Sequence, residues 1–85
     1  MKIQVVVTGR SYHLADDIPA EIELSDDATL DSALADINGR LGEQPLPDSC
    51  LIAVAGKHVG SIAQHADSPL REGDEIVLIA PVAGG

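Results

Sequence analysis

Residues 75–80 read "EIVLIA", and these six residues decide the fold. Ile76 and Leu78 fall on one side of an extended chain, Val77 and Ile79 on the other, and both sides are apolar. A strand that is apolar on both faces belongs in the middle of a sheet, with neighbours on each edge. The stretch "REGDE" before it places a turn at Glu72-Gly73-Asp74. The first residues, "KIQVVVT", alternate: Ile3, Val5 and Val7 face one way, Lys2, Gln4, Val6 and Thr8 the other. This strand is the best neighbour for the last one.

Between these ends lies one good helix. In "DDATLDSALADINGRLG", Leu30, Leu34, Ile37 and Leu41 recur at intervals of 4, 3 and 4, and Ala33 widens the stripe. Thr29 suits the N-cap, and Asp26, Asp27 and Asp31 favour the positive end of the helix dipole. Gly39 or Gly42 can end the helix, with the stop expected near Asn38. "AEIELS" alternates as a hairpin partner of the first strand, with Ile22 and Leu24 inward. "GRSYHLADDIP" and "EQPLPDS" are connections, the first with room for one helical turn. "CLIAVAGKHVGSI" reads as strand, turn at Ala55-Gly56-Lys57, and short strand. The order is β-β-α-β-β-β. A helical crossover between the chain's two ends makes the first and last strands parallel. The expected class is α+β: a β-grasp, or ubiquitin-like, fold with a mixed sheet of four to five strands and one main helix. Its domain covers residues 1–80, and residues 81–85 form a flexible C-terminal Gly-Gly tail. The expected core includes Ile3, Val5, Val7, Ile22, Leu24, Leu30, Leu34 and Ile37.

Composition narrows the function. In 85 residues there are 14 acidic and 5 basic side chains, a formal charge of −9. Nucleic acid and anionic membranes are disfavoured, because both need clustered Lys and Arg. No apolar run approaches the ~20 residues of a membrane span. No signal peptide is evident, so the expected location is cytoplasmic. Cys50 is the lone cysteine, and its place before an apolar run makes it a buried structural thiol. His13, His58 and His65 lack metal-ligand spacing and read as surface residues. "GKHVGS" has neither the length nor the order of a phosphate loop, so Lys57 reads as a hairpin-tip residue. The acidic pairs at residues 26–27 and 72–75 fall on exposed turns, as surface charge. The expectation is a protein that is no enzyme and binds no cofactor or metal.

What remains is "PVAGG", residues 81–85. Pro81 stops the strand. Gly84 and Gly85 carry no side chain and suit a narrow cleft. Five extended residues reach ~17 Å, enough to carry a carboxylate into a partner's active site.

"SPLREGDEIVLIAPVAGG", residues 68–85, resembles the C-terminal signature of the MoaD/ThiS sulfur-carrier family. Pro69, Leu70, Gly73, Asp74, Glu75, Pro81, Val82, Gly84 and Gly85 carry the resemblance, which is nearest to the small subunits of molybdopterin synthase. "VVVTGR" and "LIAVAGKHV" match more loosely. Ile79 and Ala80 stand where relatives often have an aromatic and a second proline, and Ala55-Gly56 replaces a common Asn-Gly turn. The resemblance implies a carrier whose Gly85 carboxylate is adenylated at the expense of ATP by a ubiquitin-activating-like adenylyltransferase. Sulfur then converts it to a thiocarboxylate, which the large subunit of molybdopterin synthase uses to build the molybdopterin dithiolene. The alternatives are a thiamine-pathway sulfur carrier and a ubiquitin-like protein modifier. Pro81 and the long first connection favour molybdopterin. Val6, Val77 and Ile79 should form an apolar docking patch on the helix-free face. Pro81, Val82 and Ala83 should contact the partners. A loop over the patch, residues 11–17, is the competing arrangement.

Overall fold

The computed structural model describes residues 1–8, 18–42 and 46–79. The expected helical turn and covering loop of the first connection, Ala80 and the tail lie outside them. Five strands and one helix are present among the described residues: β1 Lys2–Thr8, β2 Glu21–Glu23, α1 Leu30–Leu41, β3 Leu51–Val54, β4 Lys57–Ser61 and β5 Glu75–Ile79. The strands form one mixed sheet in the order β2-β1-β5-β3-β4. The doubly apolar strand is therefore central. β1 pairs with it in parallel, Val5 beside Ile76 and Val7 beside Leu78. β3 pairs with its other edge antiparallel. β1 and β2 form the expected antiparallel pair, Ile3 beside Ile22. This is the β-grasp architecture.

The register sorts the side chains. Ile3, Val5, Ile22, Ile52, Val54, Ile76 and Leu78 lie on the core face, together with Leu30, Ala33, Leu34, Ile37 and Leu41 of α1. The core is almost wholly aliphatic, as a chain with one tyrosine and no Phe or Trp requires. Two expected core residues, Val7 and Leu24, are only half-buried and pack against its rim. Leu24 follows the last residue of β2, and Val7 is the last but one residue of β1.

α1 begins where its cap indicates. The Thr29 hydroxyl accepts from the Ser32 N–H, and the Ser32 hydroxyl accepts from the Thr29 N–H. The Leu30 N–H donates to the Ser68 carbonyl and the Asp31 N–H to the Asp67 carboxylate. The free amides of the first turn are thereby all used. The helix does not stop near Asn38. It runs to Leu41, because Leu41 continues the buried stripe, and Gly42 caps it with its N–H on the Asn38 carbonyl. Gly39 is helical. The Asn38 side chain instead accepts the Leu46 N–H, steering the returning chain.

The β3–β4 turn is centred on Ala55 and Gly56, with φ of +51° and +84°, and Lys57 already belongs to β4. Two successive left-handed residues make the turn that matches strand twist. β4 also carries a bulge: Ile52 pairs with Gly60 but Ala53 with His58, so Val59 is extra and packs against the core. Gly60 has φ +130°, and a Cβ there would stand 2.2 Å from the Gln64 carbonyl oxygen. Gly60→Ala should cost ~1–3 kcal/mol from backbone strain and overpacking. Urea denaturation checks this, and a loss under ~0.5 kcal/mol would show that the 61–65 segment yields freely.

Candidate functional site

β5 delivers the chain to the tail, and its outward residues define the surface at the tail's root. Val6 pairs with Val77, Ala53 stands on the other side of Val77, and Leu51 pairs with Ile79. Residues directly opposite on paired strands share a face. Val6, Val77, Ile79 and Leu51 thus form one continuous apolar patch on the face away from α1. Val77 and Ile79 are half-buried, while Val6 and Leu51 are 38% and 43% exposed, the two exposed large hydrophobic residues among the described residues. Val6, Val77 and Ile79 lie on the helix-free face that alternation predicts, and Leu51, which the sequence reading did not include, lies there too. The alternation in "LIAV" carries that signal: once Ile52 is inward, Leu51 and Ala53 point outward.

The patch has a polar margin. One step along the strands, Gln4 pairs with Glu21 and Glu75, and the Gln4 amide donates to the Glu21 carboxylate at 2.8 Å. His58, opposite Ala53, is exposed. Pro81, Val82, Ala83, Gly84 and Gly85 lie outside the described residues, so no geometry attaches to them. By length alone, the six residues after Ile79 reach roughly 20 Å when extended.

The upstream motif residues have structural work. Pro69 bridges to Thr29, and the buried Leu70 donates its N–H to the Ala28 carbonyl. Arg71 to Asp74 close a turn with Gly73 at φ +84°, and Glu75 opens β5. Together they fix where β5 starts.

Cys50 is 1% exposed, and burial pushes its thiol up from the ordinary range, against a smaller opposite pull from the Ile79 backbone. A thiol kept protonated is a poor nucleophile, so Cys50 is structural. Lys57 and His58 are exposed as expected, and His13 lies outside the described residues. His65 corrects the reading as a surface histidine. Its side chain is only 13% exposed, with both ring nitrogens engaged. The described residues hold no pocket and no group of three potential metal ligands. None of their helices is long and apolar enough to cross a membrane.

A family model, that of the ThiS family, matches residues 5–85. No curated protein sequence matches the chain. Among solved structures, a putative molybdopterin converting factor subunit 1 from Pyrococcus furiosus is 25% identical, with a TM-score of 0.72 over 96% of this chain and 99% of that one. SAMP1 from Haloferax volcanii is 20% identical, with a TM-score of 0.69 over the whole of both chains. The complex of subunits 1 and 2 of the molybdopterin-converting factor from Helicobacter pylori contains a chain 24% identical, with a TM-score of 0.56 over the whole of both. The last two establish likeness of fold.

Proposed function

The chain belongs to the ThiS family, and from that premise we propose that it is a sulfur carrier, the small subunit of a molybdopterin synthase. The Gly85 carboxylate attacks the α-phosphate of ATP on an activating adenylyltransferase and releases pyrophosphate. A carboxylate is a poor acyl donor, and the acyl-adenylate supplies the missing leaving group. A sulfide-level nucleophile then attacks the acyl carbon and displaces AMP, leaving the Gly85 thiocarboxylate. The large synthase subunit receives the tail, and sulfur passes to a pterin precursor to form the dithiolene. The protein contributes a delivered group and a docking surface, and its partners contribute the catalysis.

The observation that carries this reading is the apolar patch of Val77 and Ile79, on the strand that leads towards the Gly-Gly motif, with Val6 and Leu51 on the strands beside it. An exposed apolar cluster of this kind marks a contact surface. The family match through residue 85 supports the assignment of the tail, and the likeness to converting-factor subunit 1 favours the molybdopterin pathway. The solved complex of subunits 1 and 2 of the Helicobacter pylori factor supports a second subunit as the occupant of the patch.

Docking on this face is tested by charge insertion. Leu51→Asp and Ile79→Asp should each weaken binding to the large subunit and to the adenylyltransferase by about 2 kcal/mol or more, roughly thirtyfold. Leu51 is the more exposed of the two, so its variant should keep wild-type circular dichroism. Titration calorimetry giving wild-type affinity for both partners would remove this face from the interface.

A further inference from the structure

The connection from β4 to β5 is fastened to the first turn of α1 by a histidine. His65 Nδ1 lies 2.8 Å from the Ser61 carbonyl oxygen, and Nε2 lies 2.6 Å from Asp31 Oδ1. Both partners are acceptors. A neutral imidazole has one N–H, so either tautomer sets a lone pair against one of them, whereas the imidazolium donates to both. We propose that His65 is a protonation-controlled latch, holding the β4–β5 connection against α1 when charged and loosening it when neutral.

The surroundings favour the charged form. The Asp31 hydrogen bond acts most strongly in raising the ring's pKa from its ordinary 6.5; partial burial opposes it, and the Ser61 and Ile62 carbonyls add to it. Asp31 faces the ring from α1, and Asp67 stands nearby within the connection itself. The amides of the helix N-terminus would repel a cation. Here they are taken up by Asp67, Ser68 and Thr29. Asp67, held below the usual carboxylate range chiefly by the Asp31 N–H, stays charged throughout.

The same segment also closes over Gly60 and supplies the Gln64 carbonyl to the Ser61 N–H. Pro69, Leu70 and the turn at residues 71–74 separate it from β5. Losing the proton therefore releases one of the tethers that hold the connection to α1, upstream of those that set the start of β5. Because the folded-state pKa is raised, the stabilisation is complete below about pH 6.5 and disappears as pH rises through the folded value.

Nitrogen-15 NMR of the full chain from about pH 5 to about pH 9 tests this on the native sequence. Both His65 nitrogens should carry protons at the acid end of the range, and the ring should titrate above its ordinary midpoint. Asp31→Asn should return the midpoint towards that value. Protection factors of the Asp31 and Gln64 amides should fall severalfold across the same interval. The excess stability of wild type over His65→Gln in urea should vanish there too. A ring titrating at or below its ordinary value would overturn the latch, as would identical pH profiles for wild type and His65→Gln.

Discussion

Removing Gly85, or adding one residue after it, should abolish thiocarboxylate formation while leaving the thermal unfolding curve unchanged. The chemistry needs a free carboxylate at a fixed distance from the docking patch. Deletion shortens the reach by one residue, ~3.5 Å, which withdraws the reacting carbon from a partner's catalytic groups. Addition moves the carboxylate past them. Neither change touches the hydrogen-bonded sheet of the described residues, whose last strand runs Glu75–Ile79. Gly84→Val separates length from bulk: it keeps the reach but adds a β-branched side chain in the cleft. Adenylation should slow severely. A Gly85-deleted protein that still supports sulfur transfer would show that the tail is idle.

Leu34→Ala should destabilise the domain by ~2–5 kcal/mol. Leu34 lies in the middle of the α1 stripe, 5% exposed, over the face formed by Ile3, Val5, Ile76 and Leu78. Among the described residues α1 is the one helix in that core, and its fully buried neighbours leave the cavity little room to collapse. In a domain of this size the loss is a large share of the total stability. Chemical denaturation measures it, and a value below ~1 kcal/mol would place Leu34 outside the core. The same variant should keep its tail chemistry at temperatures where it remains folded, since the patch lies on the opposite face.

The sheet was legible because its signal is local. Ile76 to Ile79 state their own centrality, and "KIQVVVT" and "LDSALADI" state their periods. Thr29 marked the helix start through its hydroxyl. The helix end was harder, since Gly39 and Gly42 offer the same conformational freedom. Only the burial of Leu41 chooses between them. Ala55 at positive φ defied its propensity, because the hairpin register overrides a local cost. Val6, Val77 and Ile79 could be placed by alternation within strands whose pairing was already inferred. Leu51 required knowing which strand borders β5 on its other side. His65 was least legible of all. Its partners are four residues away at Ser61 and thirty-four away at Asp31, and nothing in the spacing announces the contact.

The central claim is that Gly85 carries activated sulfur. Intact-mass spectrometry tests it most directly, after incubation of the full chain with ATP, the adenylyltransferase and a sulfur source. A sulfur carrier gains the mass difference of one oxygen-to-sulfur exchange, located by fragmentation at Gly85 and absent when ATP is withheld. An unchanged mass with an activating enzyme shown to be competent on its own carrier, or a sulfur located on Cys50 instead of Gly85, would contradict the assignment.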